Sequence, residues 1–450
     1  MSLRPDETPH ETLSPRYDWH GFGFDTRQVH AGEAAEPAHG ARITPVYLTA
    51  AYRFDSFAQA EARFTGADEG QLYSRNLNPT HQVAERRIAS LEGGSGAIVL
   101  GSGQAAITAA LLGLAGAGER IVSTASIYSG TRILFDRTFA RLGVSSDYVR
   151  DARSEAEWEA AIGPDTKAIF VETIPNPKND LVDVVAIAQI ARRHRIPLVV
   201  DNTVATPYLI RPLELGADIV VHSSTKFLSG HGAALSGAIV DGGRFDWTGS
   251  SRSFPGLTDP TAPGKPSFVE AHGERAFEAY LRFGIVNDLG AALSPVNSFL
   301  LQQGIETLSL RMERHLSNAS TVAAWLDAHP AVESVDFAGL PHNAFHDIAQ
   351  ARFGGHAGSV FAFTVRGGRP AAEAFFDSLR VISRMTNIGD VRSMALHPAT
   401  TTHVSFSAEE RDRLGIGDGL IRLSIGIETV DDLIADLSDA LDAASRRVGD

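Results

Sequence analysis

Three short stretches carry residue types that could do chemistry together. Lys226 stands in HSSTKFLSGHG (222–232), directly after the apolar run DIVV (218–221). Lysines normally lie on solvated surfaces. This one leaves a buried strand at its carboxyl end, where open α/β sheets hold their ligands. Asp201 ends a second apolar run, in IPLVVDNT (196–203). An amine and a carboxylate on neighbouring strand ends suit pyridoxal 5'-phosphate, which needs an amine for its Schiff base and an acid against its ring nitrogen. Desolvation lowers a lysine's pKa and readies the free amine for a carbonyl. The hydroxyls of Ser223 and Thr225 would donate to the cofactor's phosphate. A structural ion pair at a sheet edge explains Asp201 and Lys226 equally well, so the third stretch has to separate the readings.

That stretch is LGSGQAA (100–106), which follows the apolar run AIVL and opens a helix. Free N–H groups at a helix start bind anions. The small residues Gly101, Ser102 and Gly103 let the backbone approach a phosphate. A tight strand-to-helix turn without a ligand would look the same. GSGQAA also fits the dinucleotide fingerprint G-x-G-x-x-A, which wants an acid near the end of the next strand. Here that strand ends in Ser123 and Thr124, its nearest acid, Glu119, precedes it, and about 95 residues come before the loop. A nicotinamide or flavin enzyme therefore ranks below a pyridoxal one.

The elements that must position these residues alternate. Apolar runs at 97–100, 120–124, 147–150, 167–172, 196–200, 218–221 and 236–240 are separated by helical stretches such as QAAITAALLGLAG and VDVVAIAQIARRHR. That pattern predicts a mostly parallel seven-stranded sheet covered on both faces. A Pro/Gly/Ser-rich loop covers about 241–268, and a long helical region about 286–328. Shorter pieces follow (SVDFAG, GSVFAFTV, a helix near PAAEAFFDSL, GLIRLSIGIE, a closing helix from Val430), which predict a smaller α+β domain. The expected division is an N-terminal arm over 1–70, without structure to about residue 25, a large cofactor-binding domain over 71–285, and a small domain over 286–450.

The 450 residues are 43% hydrophobic and 21% charged, with a net charge of −14, which argues against nucleic acid and anionic membrane as partners. No apolar run reaches the length of a membrane span, and the polar N-terminus does not read as a signal peptide, so the expected location is cytoplasmic. There is no cysteine, hence no disulfide and no thiolate ligand. His222 and His231 lack partners at ligand spacing and read as structural, so no metal site is expected.

Together, YSRNLNPT (73–80), GSGQAA, VVDNT and HSSTKFLSGHG, in this order along the chain, resemble the Cys/Met-metabolism family of pyridoxal-phosphate enzymes from about Val29 to Val430. The resemblance implies the aspartate-aminotransferase-like fold, fold type I. Within the family the chain looks most like the O-acetylhomoserine sulfhydrylases. Gln104 stands where other branches usually carry methionine, Asn387 in NIGDVRSMALHPATTTH where others tend to have serine, and the loop 241–275 with FPGLTDP is of the sulfhydrylase kind.

Carried over, the resemblance implies Lys226 as the Schiff-base lysine, Asp201 as the partner of the ring nitrogen, and Ser102, Gly103, Gln104, Ser223 and Thr225 around the phosphate. It implies Tyr128 stacked on the ring, Glu172 and Asn176 in support, and Tyr73 and Arg75 reaching the cofactor of a neighbouring subunit. Arg422 matches the arginine for the substrate's α-carboxylate, with Asn387 and Tyr73 beside the substrate. The activity implied is γ-replacement on O-acetyl-L-homoserine by sulfide or methanethiol, in a homo-oligomer expected to be a tetramer. The alternatives are cystathionine γ-synthase, O-succinylhomoserine sulfhydrylase and methionine γ-lyase. A degenerate oligomeric scaffold is the reading outside enzymes, and it sits poorly with the presence of Lys226, Asp201, Tyr128 and Arg422 together.

Overall fold

The structure is a computed structural model that describes residue 19 and residues 21–33, 39–250 and 252–449. Of the expected arm, residues 1–18, 20 and 34–38 therefore lie outside the described residues. The segment that follows forms helix Phe24–His30.

Each of the seven apolar runs forms a strand: β1 (Gly96–Leu100), β2 (Arg120–Thr124), β3 (Ser145–Val149), β4 (Thr166–Glu172), β5 (Leu198–Asp201), β6 (Ile219–His222) and β7 (Gly237–Asp241). They pair in the order β1-β7-β6-β5-β4-β2-β3. Only β7 runs antiparallel to its neighbours. The runs read as continuously apolar because both faces are covered. Successive residues of β4 alternate between two cores: Ile169 and Val171 enter the cluster that continues into the C-terminal region. Ala168 and Phe170 enter the cluster beneath helix Gly103–Leu112 and the 245–286 segment.

The helical region expected over 286–328 is broken into Val286–Leu289, Pro295–Ile305 and Leu308–Asp327. The breaks follow local chemistry. Gly290 closes the first piece at φ +71°, a left-handed angle that favours glycine. Pro295 then occupies the first turn of the next helix, where its missing N–H is not needed. After these helices comes a second sheet: β8 (Val332–Asp336), β9 (Val360–Val365), β10 (Ser383–Arg384), β11 (Met394–Leu396) and β12 (Leu420–Ser424), ordered β10-β11-β12-β9-β8. Helices Gly368–Ser378 and Val430–Gly449 pack on it. In β12, Ile421 and Leu423 point into the core, so the strand's alternation turns Arg422 to the opposite face. Among the described residues no helix is long and apolar enough to cross a membrane.

Candidate active site

The carboxyl ends of β4, β5 and β6 meet at one edge of the large sheet. Asp201 closes β5 and is buried. Its carboxylate accepts the Thr203 N–H at 2.9 Å, and the Thr203 hydroxyl accepts the N–H of Ser223, just beyond β6, at 2.8 Å. Thr203 thus pins two strand ends together. Glu172 closes β4 directly beside Asp201 in the ladder and is also buried. Burial and then the Asp201 charge push the Glu172 carboxyl well above the usual carboxylate range. Burial raises Asp201 as well, against the lowering effect of its Thr203 hydrogen bonds and of His222. Two buried carboxyls side by side resist joint ionisation, and a cation set against Asp201 would relieve the cost. A protonated pyridine nitrogen is such a cation. Beneath this edge, His222 shares a hydrogen bond of 2.7 Å with Glu92, which also accepts from Asn202 at 2.9 Å. All three are buried, and the site rests on this layer.

Lys226 is half-buried, and its Nζ donates to Oδ1 of Asn387. The chain has only four lysines. Lys167 pairs with Glu119 at 2.9 Å, Lys178 with Asp336 at 3.9 Å, and Lys265 is exposed. Lys226 has no carboxylate partner among the described residues. Burial, and then the charge of Arg422, lower its amine to about 8. Capture of an aldehyde needs the neutral amine, so lowering the pH through 8 removes the reactive form. Recombination of cofactor-free protein with pyridoxal phosphate, followed by visible absorption, is expected to slow about tenfold per pH unit below about pH 8 and to level off above it. A rate that is flat between about pH 6 and 9 would contradict the placement of this amine.

Arg422 is 3% exposed. It donates to Oδ1 of Asn176 at 3.1 Å and to the carbonyl of Asn387 at 3.0 Å, and its buried Nε has no partner. Burial lowers the guanidinium to about 10. A buried cation without a carboxylate is costly unless a ligand supplies one. Asn387 therefore joins the two cations, its side chain on Lys226 and its carbonyl on Arg422. His403, which sequence reading passed over, is buried close by, with burial and then Arg422 lowering its ring to about 4. In the sequence it closes the stretch NIGDVRSMALHPATTTH, with no spacing of its own to mark it.

The helix Gly103–Leu112 starts at the same edge, capped by the Ser102 hydroxyl, which accepts the Ala105 N–H at 3.1 Å. The N–H groups of its first turn have no intrahelical acceptor and suit a phosphate. A Cβ on Gly103 would lie 2.5 Å from Cβ of Ser223, so glycine is what lets the two loops form one cradle. Gly103→Ala is expected to raise the dissociation constant for pyridoxal phosphate at least tenfold, since overpacking of this order costs about 1–3 kcal/mol. Equilibrium dialysis checks it; unchanged affinity would remove Gly103 from the cradle. Gln104 ties the cradle to the next loop through a 3.1 Å bond from its side-chain nitrogen to the Gly130 carbonyl. Tyr128, 43% exposed, is anchored by its N–H on Glu172 at 2.7 Å.

The other sequence-selected residues are placed differently. The Thr225 hydroxyl donates to the Ser236 carbonyl at 3.0 Å and accepts the Ser236 N–H at 2.9 Å, so it is already engaged within its own loop. Tyr73 and Arg75 lie on the loop before helix Pro79–Glu92, with the guanidinium 5.3 Å from the ring centre. Among the described residues they make no hydrogen bond or ion pair with the others. His231 is exposed and bonds to the Ser229 carbonyl at 2.7 Å.

The arrangement fits pyridoxal phosphate: a free helix start for the phosphate, a buried acid for the ring nitrogen, and a lysine without a carboxylate partner among the described residues. Comparison with known proteins agrees. The family model for Cys/Met metabolism PLP-dependent enzymes matches residues 25–442. An O-acetyl-L-homoserine sulfhydrylase of Corynebacterium glutamicum is 45% identical over 429 residues, 94% of this chain and 98% of that protein. One from Thermus thermophilus is 44% identical over 421 residues, 93% of this chain and 99% of that protein. The crystal structure of an O-acetylhomoserine (thiol)-lyase from Campylobacter jejuni, with a pyridoxyl-lysine monophosphate residue, superposes with a TM-score of 0.90 at 35% identity, covering 94% of this chain and all of that one. The chain belongs to the Cys/Met-metabolism family of PLP-dependent enzymes.

Proposed function

We propose that the enzyme replaces the acetate of O-acetyl-L-homoserine by sulfide, or methanethiol, to give L-homocysteine, or methionine. The observation that carries this is Arg422: a buried guanidinium lacking a carboxylate among the described residues, joined through Asn387 to Lys226, a part-buried lysine that also lacks one. An amino-acid substrate supplies that carboxylate. The relatives named above, matched over nearly their whole length, support the choice of γ-substituent and nucleophile.

When bound, pyridoxal phosphate supplies an electron sink for negative charge at the substrate's Cα. The chain's residues do the rest. Arg422 holds the α-carboxylate with two donors and so fixes which bond at Cα faces Lys226. Lys226, as a neutral amine, takes the Cα proton and later returns it. A second proton leaves Cβ, the Cγ–O bond breaks and acetate departs. Hydrosulfide then forms the Cγ–S bond, and Cβ and Cα regain their protons. Asp201 keeps a proton on the ring nitrogen, and Thr203 keeps Asp201 in place. Tyr128, whose hydroxyl has no partner among the described residues, relays protons beside Lys226. Tyr73 and Arg75 complete the site of a second copy, so the working unit is at least a dimer. The exposed Leu48, Phe57 and Phe64, on the segment preceding Tyr73, offer an apolar surface to that copy.

The test is a comparison of substrates on the purified enzyme. O-acetyl-L-homoserine with sulfide is expected to give homocysteine and one equivalent of acetate. O-succinyl-L-homoserine with sulfide, and methionine alone, are expected to react at least about a hundredfold more slowly. Release of 2-oxobutyrate from methionine at a comparable rate would assign a lyase instead.

A further inference from the structure

The active site occupies the carboxyl edge of the large sheet, but the structure has a cleft of about 820 Å³ elsewhere. Its wall includes Gly93, just before β1, Glu214 and Leu215, just before β6, and Arg244, just after the antiparallel β7. Those positions belong to the opposite edge of the sheet. The size is that of a site for a small organic molecule.

The charge of the cleft is unusual for a chain of net −14. Arg27, Arg211, Arg244 and Arg352 line it, against one acid, Glu214. Arg352 is neutralised by Asp183 through two bonds of 3.0 and 3.2 Å. Arg211 pairs with Glu214 at 3.1 Å. Arg244 donates to the Leu213 carbonyl and has no ion pair among the described residues. Arg27 is the decisive residue. It is 7% exposed, donates one bond to the Ser90 carbonyl, and its Nε is buried without a partner. Burial, and then the neighbouring charge of Arg211, hold its guanidinium below the usual value. Beside these cations stands an apolar wall in which Phe24 meets Tyr208 edge-on at 5.4 Å. Two cations with no ion pair among the described residues, Arg27 and Arg244, next to aromatic rings make a site with a polar end and an apolar end.

We infer that this cleft binds a small amphipathic anion, its phosphate or carboxylate head on Arg27 and Arg244 and its apolar body against Phe24 and Tyr208. Guanidinium groups, here Arg27 buried and Arg244 exposed at the mouth, favour such heads through paired, charge-assisted hydrogen bonds. Arg211 adds attraction from the rim.

Titration calorimetry on the holoenzyme tests the inference, with phenyl phosphate, phenylacetate and inorganic phosphate as probes. In the holoenzyme the phosphate cradle of the active site is already filled. Phenyl phosphate or phenylacetate is expected to bind once per chain, at least about tenfold more tightly than inorganic phosphate, and the stronger of the two identifies the head group. Arg27→Gln is expected to weaken that binding about tenfold or more. Arg211→Gln, at a more exposed position, is expected to weaken it severalfold with folding and turnover intact. Arg422→Met is expected to leave it unchanged. Equal binding by the parent and both cleft variants would overturn the inference, as would loss of binding in the Arg422 variant alone.

Discussion

Lys226→Ala is expected to lower kcat/KM for O-acetyl-L-homoserine and sulfide by about 10⁴-fold or more. The size follows from two tasks that fall on one atom: Nζ is both the amine that meets the cofactor's aldehyde and the base at Cα, and loss of a group with such a double role costs several orders of magnitude. The substitution is expected to cost the cofactor-free fold little. Among the described residues Lys226 gives no ion pair and donates a single hydrogen bond, to Asn387, and burial lowers its amine. Removing a cation that burial already disfavours leaves the melting temperature of the cofactor-free protein unchanged or slightly raised. Steady-state kinetics with a thermal melt separates the outcomes. Turnover within tenfold of the parent would exclude Lys226 from the chemistry, whatever the melt shows.

Arg422→Met is expected to reduce kcat/KM by about 10²- to 10³-fold, mostly through KM, because a paired guanidinium–carboxylate contact in a buried site is worth about 3–5 kcal/mol. Arg422→Lys recovers little of it, since a point charge does not reproduce the guanidinium fork. Here too the melt is informative. A structural arginine would have its donors satisfied, whereas Arg422 keeps a buried Nε without a partner. Its replacement orphans the Asn176 side chain and the Asn387 carbonyl, a penalty of about 1–3 kcal/mol, while removing an uncompensated cation. A small change in melting temperature with a large loss of activity is the expected pair. A large drop in melting temperature with activity within tenfold would make Arg422 part of the scaffold.

What was legible in the sequence follows from how local each cause is. The seven strands of the large sheet read clearly because burial on both faces makes each an unbroken apolar run. Lys226, Asp201 and the Gly103 loop were legible because strand-to-helix turns with small residues are local features. The region after Leu289 reads as helical throughout, but its division depends on one left-handed glycine and one proline. The strands β10 and β11 have two and three residues, too short for any period to register. The geometry around Arg422 is also non-local. Its direction is set by pairing with β9 and β11, and its contacts come from Asn176 and Asn387, 246 and 35 residues away. Resemblance to a family assigned those residues; the physical link between them, Asn387 holding one cation with its side chain and the other with its backbone, shows only in the folded chain. The same holds for the Thr225 hydroxyl, whose engagement by Ser236 arises from a loop closing on itself.

The most direct test of the site is covalent. Borohydride reduction of the holoenzyme, followed by digestion and mass spectrometry, is expected to place a phosphopyridoxyl group on the peptide holding Lys226, with Lys167, Lys178 and Lys265 unmodified and the visible absorption lost on reduction. A label on any of those three lysines, or none on a protein that turns over, would contradict the account.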